Sequence, residues 1–179
     1  NGKGPNVSKP CVFFDRDGIV NRAPESRYVE RLEDFYLQPE FVDALKVVRG
    51  KGLEAVIVTN QKGVSTGAMT MDAVHRIHDH LQAELRKRGV ELTDILVCTD
   101  PHDDSPRRKP TPGMLLEAAE KHGLDLSRSW MVGAQDKDVE AGRRAGCRTV
   151  LVGAGKAPTR ADFRVEALAG LAAFLDGHL

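Results

Sequence analysis

The sequence predicts an α/β fold, a doubly wound, Rossmann-like parallel sheet, and three observations carry that expectation. Short runs of wholly apolar residues recur along the chain, segments of helical periodicity separate them, and a polar cluster follows most of them at once. Strands that are apolar on both faces are what a parallel sheet covered by helices on two sides requires. Alternation of strand and helix is the pattern of a doubly wound sheet, whose ligands bind beyond the carboxyl ends of the strands. The polar clusters fall at those ends.

Taken in order, Asn1 to Pro10 is mostly Gly, Pro, Asn, Ser and Lys and reads as a loose tail, residues 1–10, ahead of one domain spanning residues 11–179. Cys11-Val-Phe-Phe14 is too short for a helix and stops abruptly at Asp15-Arg-Asp-Gly18, as a buried strand would. Further strands are expected at Ala55–Thr59, Ile95–Cys98, Trp130–Val132 and Thr149–Val152, with Trp130 as core. A helix from Pro39 to Arg49 has proline suited to its first turn and Gly50 to its stop. Met71 to Arg88 repeats Val74, Ile77, Leu81 and Leu85 on one stripe. A third helix is expected to run to His122, with Thr111 as N-cap, Pro112 in the first turn and Gly123 as stop. Asp138 to Ala145 and Ala161 to Leu175 complete the helices, and no internal repeat or large inserted cap is visible.

Composition narrows the partners. The chain has 179 residues, 41% hydrophobic and 29% charged, enough for one core that needs no metal or disulfide staple. Its 26 basic and 26 acidic residues cancel, so no global field draws in nucleic acid or a membrane surface, and any anion must be held locally. Three scattered cysteines, Cys11, Cys98 and Cys147, fit a reducing compartment, and neither a signal-peptide layout nor a spanning apolar run is present, so a cytoplasmic address is expected.

The polar clusters supply the chemistry. Residues two apart in an extended segment point the same way, so Asp15 and Asp17 present two carboxylates to one place, suited to a divalent cation or to a nucleophile with an acid/base partner. Thr59, Asn60 and Gln61 offer a hydroxyl and amides to phosphoryl oxygens. Arg107, Arg108 and Lys109 form a cationic cluster after the third strand, and the fourth leads into Gly133-Ala-Gln-Asp-Lys-Asp138.

This order of acid, hydroxyl, cation and acid resembles the four motifs of the haloacid dehalogenase superfamily of phosphatases. Asp15-Arg-Asp-Gly-Ile-Val-Asn21, Tyr28-Val, Thr59-Asn-Gln61 and Arg108-Lys-Pro-Thr-Pro-Gly-Met114 are similar to the branch, free of a cap domain, that holds histidinol-phosphatases and D,D-heptose 1,7-bisphosphate phosphatases. The resemblance spans residues 11 to about 155 and implies a Mg²⁺-dependent phosphomonoester hydrolase working through an aspartyl-phosphate. It implies Asp15 as nucleophile, Asp17 as general acid and base, and Thr59 and Lys109 on the phosphoryl oxygens. Mg²⁺ would sit on Asp15, the Asp17 carbonyl and a carboxylate of the fourth motif, Asp138 or Asp136. Arg108 and Arg107, with Asn60 and Gln61, would meet the substrate, a small phosphorylated metabolite. A heptose bisphosphate is preferred and histidinol phosphate is the alternative; a monomer or small homo-oligomer is expected.

Two departures stand out. Where the fourth motif should carry its first Asp there is Ala134, which leaves open metal binding and, as a different class of reading, a phosphate-binding pseudo-phosphatase. Relatives often hold a structural zinc in the loop before the Arg-Lys-Pro motif. Here only Cys98 and His102 remain, and two ligands do not close a tetrahedral site, so no structural zinc is expected. His75, His78 and His80 on the long helix read as a solvated face, and Gly153-Ala-Gly-Lys156 as a plain turn.

Overall fold

Each short apolar run expected to be a strand is one in the computed structural model, which describes residues 8–179. β1 (Cys11–Phe14), β2 (Glu54–Asn60), β3 (Asp94–Cys98), β4 (Trp130–Gly133), β5 (Arg148–Val152) and β6 (Phe163–Val165) form one parallel sheet in the order β3-β2-β1-β4-β5-β6. The order reverses between β1 and β4, the switch point at which two successive crossovers leave in opposite directions and open a crevice.

Alternate residues of β1 feed two cores. Val12 and Phe14 pack with Phe41 and Leu45 of α1 (Pro39–Gly50), Ile77 and Leu81 of α3 (Met71–Lys87), and Leu171 and Leu175 of α6 (Leu171–His178). Cys11 and Phe13 face Met114, Leu115 and Ala118 of α4 (Gly113–His122) and Ala141 and Ala145 of α5 (Asp136–Ala145). With both faces covered, an alternating polar pattern would bury half its polar residues, which is why the central stretches of β1 to β5 are apolar. The three cysteines are free and buried.

Two expectations need correction. The segment from Ala161 to Leu175 is not one helix: β6 comes first, then a 3-10 turn over Leu168–Gly170, then α6. Its Ala- and Leu-rich stretch has helical propensity, but pairing of Phe163 with Val150 and acceptance of the Thr149 N–H by Asp162 (2.9 Å) draw its start onto the sheet edge. Thr111 does not cap α4. Its hydroxyl faces the carbonyl oxygens of Ser105 (2.6 Å) and Pro106 (2.8 Å), and Pro112 takes the cap position. The stretch after Gln61 contains a one-turn helix, α2 (Gly63–Thr66). The first part of the expected tail, residues 1–7, lies outside the described residues, while Lys9 donates its N–H to the Gly123 carbonyl (2.9 Å).

Candidate active site

Sheet register brings the polar clusters together. Phe14 is level with both Ile57 of β2 and Val132 of β4, so Asp15, Thr59 and Ala134 emerge within two residues of that level at the same end of neighbouring strands. The Asp15 N–H extends the ladder to the Val132 carbonyl (3.0 Å). Gly133 is required here, because a Cβ would overlap the Asp138 side chain, which folds back over the strand end from the first turn of α5.

Asp138 has both oxygens engaged: Oδ1 accepts from Lys109 Nζ (2.7 Å) and Oδ2 from the Gln135 N–H (3.2 Å). Lys109 Nζ also donates to Asp15 Oδ1 (2.8 Å), so a buried ammonium lies between two carboxylates. Burial alone would lower the lysine pKa, but the two carboxylates outweigh it and hold the ammonium protonated, with its pKa above the usual range. The Asp15 pKa is also raised, to about 6, through burial and the Asp138 charge, against the pull of Lys109. Asn60 fixes the lysine backbone: its amide donates to the Lys109 carbonyl (3.0 Å) and accepts the Lys109 N–H (3.1 Å). The amide expected to meet substrate is therefore committed to the chain that presents the lysine.

Asp17 sits one turn beyond Asp15. Its Oδ1 accepts from Arg16 Nε (3.0 Å), a terminal Arg16 nitrogen (2.8 Å) and Asn21 Nδ2 (3.0 Å). Gln61 Nε2 spans from Asp17 Oδ2 (3.3 Å) to Thr59 Oγ1 (3.0 Å), so the buried glutamine ties the acid to the hydroxyl.

Asp15, Asp17, Thr59 and Asn60 line the floor of a cleft of about 420 Å³, with Arg27, Lys62, Arg108 and Lys137 around it, and Lys109 and Asp138 are buried behind that floor. Four cations at one opening of a chain with zero formal charge make a local anion site. Arg108 donates to Asp103 (3.1 Å), and a second of its nitrogens is buried without a partner. Arg107 points elsewhere, to the Val97 carbonyl (2.9 Å) and Glu117 (2.8 Å) on the outer edge of the sheet. Asp136 is exposed and lines a separate pocket with Glu140 and Arg160. The helical turn that carries it points Asp136 away from the strand tip while returning Asp138 to it.

Sequence reasoning passed over Arg16 and misjudged His78. Arg16 lies between two residues that were singled out, yet it is fully buried; His78, expected on a solvated face, is buried against it, with Nε2 3.1 Å from a guanidinium nitrogen. One signal was available: His78 directly follows Ile77 at the margin of the apolar stripe, while His75 stands clear of it.

Comparison with known proteins decides the family. The chain is 37% identical to a D-glycero-D-manno-heptose-1,7-bisphosphate 7-phosphatase of Thermosynechococcus vestitus, over 83% of this chain and 81% of the relative. It is 35% identical to a D-glycero-alpha-D-manno-heptose-1,7-bisphosphate 7-phosphatase of Photorhabdus laumondii, over 75% and 77%. The chain belongs to the HAD phosphatases. The HAD-hydrolase-like family model matches residues 106–170, which hold Lys109 and Asp138. Among solved HAD structures, the D,D-heptose 1,7-bisphosphate phosphatase of B. bronchiseptica, complexed with magnesium and phosphate, superposes with a TM-score of 0.82 at 27% identity, covering 95% of this chain and 99% of that one. The chain is thus a HAD phosphoric monoester hydrolase. No helix of the described residues is long and apolar enough to cross a membrane.

Proposed function

We propose that this phosphatase removes one phosphate from a small sugar bisphosphate, D-glycero-D-manno-heptose 1,7-bisphosphate, the substrate for which its relatives are named. One observation carries the reading: the floor presents Asp15, backed by Lys109, together with Thr59, while separate cations stand around the opening, so one phosphate can react below as a second is held above.

In this reading the Asp15 carboxylate attacks phosphorus, forming an aspartyl-phosphate as the ester P–O bond breaks, and Asp17 gives its proton to the departing sugar oxygen. Asp17 then takes a proton from water, whose oxygen attacks the aspartyl-phosphate; inorganic phosphate leaves and Asp15 is restored. Lys109 and Thr59 hold the equatorial oxygens, a positioning and electrostatic role. The pKa of about 6 leaves Asp15 mostly ionised at neutral pH, as a nucleophile must be.

For magnesium the set of free donors is short. Asp138 has both oxygens taken, Asp136 lies elsewhere, and position 134 offers a methyl group close to Gly18. Among the described residues, no group of three or more His, Cys, Asp or Glu side chains is gathered for a metal. Asp15 and the Asp17 carbonyl fit an ion that uses one carboxylate and completes its shell with water and substrate phosphate, as Mg²⁺ commonly does. Bound there with substrate, it would supply positive charge to the phosphoryl oxygens. The buried free thiols favour a reducing, cytoplasmic setting.

Phosphate release from a panel of sugar phosphates, sugar bisphosphates and histidinol phosphate, with and without Mg²⁺, tests the reading. Preference for a heptose bisphosphate over its monophosphate is expected; faster turnover of histidinol phosphate would reassign the substrate, and phosphate binding without turnover would end the proposal.

A further inference from the structure

Arg16 is the largest fully buried side chain of the described residues, and nothing in the reaction as derived above uses it. A guanidinium stripped of water costs far more than an apolar residue of its size unless its donors are met. Here they are met by two groups. Nε and one terminal nitrogen converge on Asp17 Oδ1, at 3.0 and 2.8 Å, and the other terminal nitrogen faces His78 Nε2 at 3.1 Å. The Phe35 ring lies beneath the cation, 5.8 Å from centroid to guanidinium carbon.

The direction of the last bond is forced. A guanidinium is always protonated and only donates, so His78 Nε2 must accept, which makes the imidazole neutral with its proton on Nδ1. Burial, together with the Arg16 charge, holds the imidazole pKa down at about 3, in agreement with a neutral acceptor. His78 thus sets the plane of the guanidinium, and the guanidinium in turn sets the carboxyl plane of Asp17.

The two carboxyl oxygens of Asp17 are left unequal. Oδ1 takes three donors, two from Arg16 and one from Asn21 (3.0 Å), whereas Oδ2 meets only the Gln61 amide, at 3.3 Å. A proton placed on Oδ1 would displace a charge-assisted hydrogen bond; one placed on Oδ2 displaces none.

We propose that Arg16 and His78 are positioning residues that lock the Asp17 carboxyl, filling Oδ1 so that Oδ2 is the oxygen that passes the proton to the leaving group. The proposal rests on the reading of Asp17 as general acid. His78 comes from α3, 62 positions away in sequence, so the device joins a helix of the outer layer to the strand tip.

Leaving-group dependence separates positioning from mere packing. A sugar ester needs its oxygen protonated as it departs, but p-nitrophenyl phosphate releases a stable anion. Single-turnover rates of ester cleavage are to be measured with both esters for wild type, His78→Leu, His78→Gln and Asp17→Asn, alongside their melting curves. His78→Leu is expected to slow the sugar ester roughly tenfold more than the aryl ester, since general acids contribute about 10²–10⁴-fold, with KM unchanged. His78→Gln supplies another acceptor and restores the ratio.

Equal slowing of both esters by His78→Leu, or no slowing of either, overturns the proposal. Should the leucine variant fail to fold, Arg16→Lys keeps the charge but loses the fork, and the same ratio decides. If Asp17→Asn itself slows both esters equally, it is the reading of Asp17 as general acid that fails; if Asp17→Asn discriminates and the Arg16 and His78 variants do not, only the positioning claim fails.

Discussion

The floor and the rim of the cleft are built on opposite principles. On and beneath the floor, Asp15 and Thr59 come from strand tips, Asp138 from the first turn of α5 and Lys109 from the loop after β3; all four are buried, the lysine donates to both carboxylates, and Thr59 accepts from Gln61. At the rim, Arg27 is exposed and Lys62, Arg108 and Lys137 are half-buried, and all four are carried by loops or a helix end. A buried charge must be fully partnered to be tolerated, so a floor side chain has one geometry. Cations that are exposed or half-buried keep more rotamer freedom and water than the floor groups do, so the rim can attract an anion without fixing it. Chemistry needs the first arrangement, and substrate choice suits the second.

The comparison is broken most directly at Asp15. Asp15→Asn is expected to abolish phosphate release yet leave the fold intact, with Tm unchanged or raised by about 3 °C, the shift that about 1 kcal/mol gives a chain of this size. The sign follows from the pKa. A carboxyl whose folded value is raised to about 6 favours folding only in its protonated form; that contribution is complete below its ordinary value and lost as pH rises through about 6. Activity runs the opposite way, falling as pH drops through about 6, and a pH–rate profile of kcat/KM checks it. Lys109, with its pKa raised, contributes stability that lasts through neutral pH and fades only above the ordinary lysine range.

A smaller effect is expected where the floor lacks a carboxylate. Ala134→Asp should tighten the Mg²⁺ requirement for turnover by at least about tenfold, because cation affinity rises with the number of charged ligands. Titrating activity with Mg²⁺ gives the result, and an unchanged midpoint would show that position 134 does not face the ion.

The rim supplies the smallest changes. Arg108→Ala should raise KM about tenfold for a bisphosphate and little for a monophosphate, the scale of one charge-assisted hydrogen bond. Arg107→Ala serves as its control. That side chain pairs with a half-exposed Glu117 away from the cleft, so kcat/KM should not move and stability should fall by less than about 1 kcal/mol.

Much of this was legible along the chain. Wholly apolar runs marked β1 to β5 because a sheet covered on both faces leaves no polar side, and Asp15, Asp17 and Thr59 were placed by closing or directly following those runs, whereas Lys109 stands in the loop after β3. β6 was hidden because Phe163-Arg-Val165 is three residues long beside an Ala- and Leu-rich stretch, and its strand state comes from an edge partner. Asp136 and Asp138 looked interchangeable until the turn of α5 sent only one of them back to the strand tip. Arg107 and Arg108 looked alike for the same reason, being neighbours in a loop whose course composition does not state.

The sequence by itself determined the parallel α/β sheet, the end of it that holds the site, and the order in which acid, hydroxyl and ammonium arrive, since all three follow from local patterns of polarity and spacing. Only the tertiary structure decided that Lys109 joins Asp15 to Asp138, that Asn60 clamps a backbone, and that His78 on a distant helix meets Arg16. Those contacts are set by which helix packs over which strand, and the partner of a buried charge is chosen by that packing.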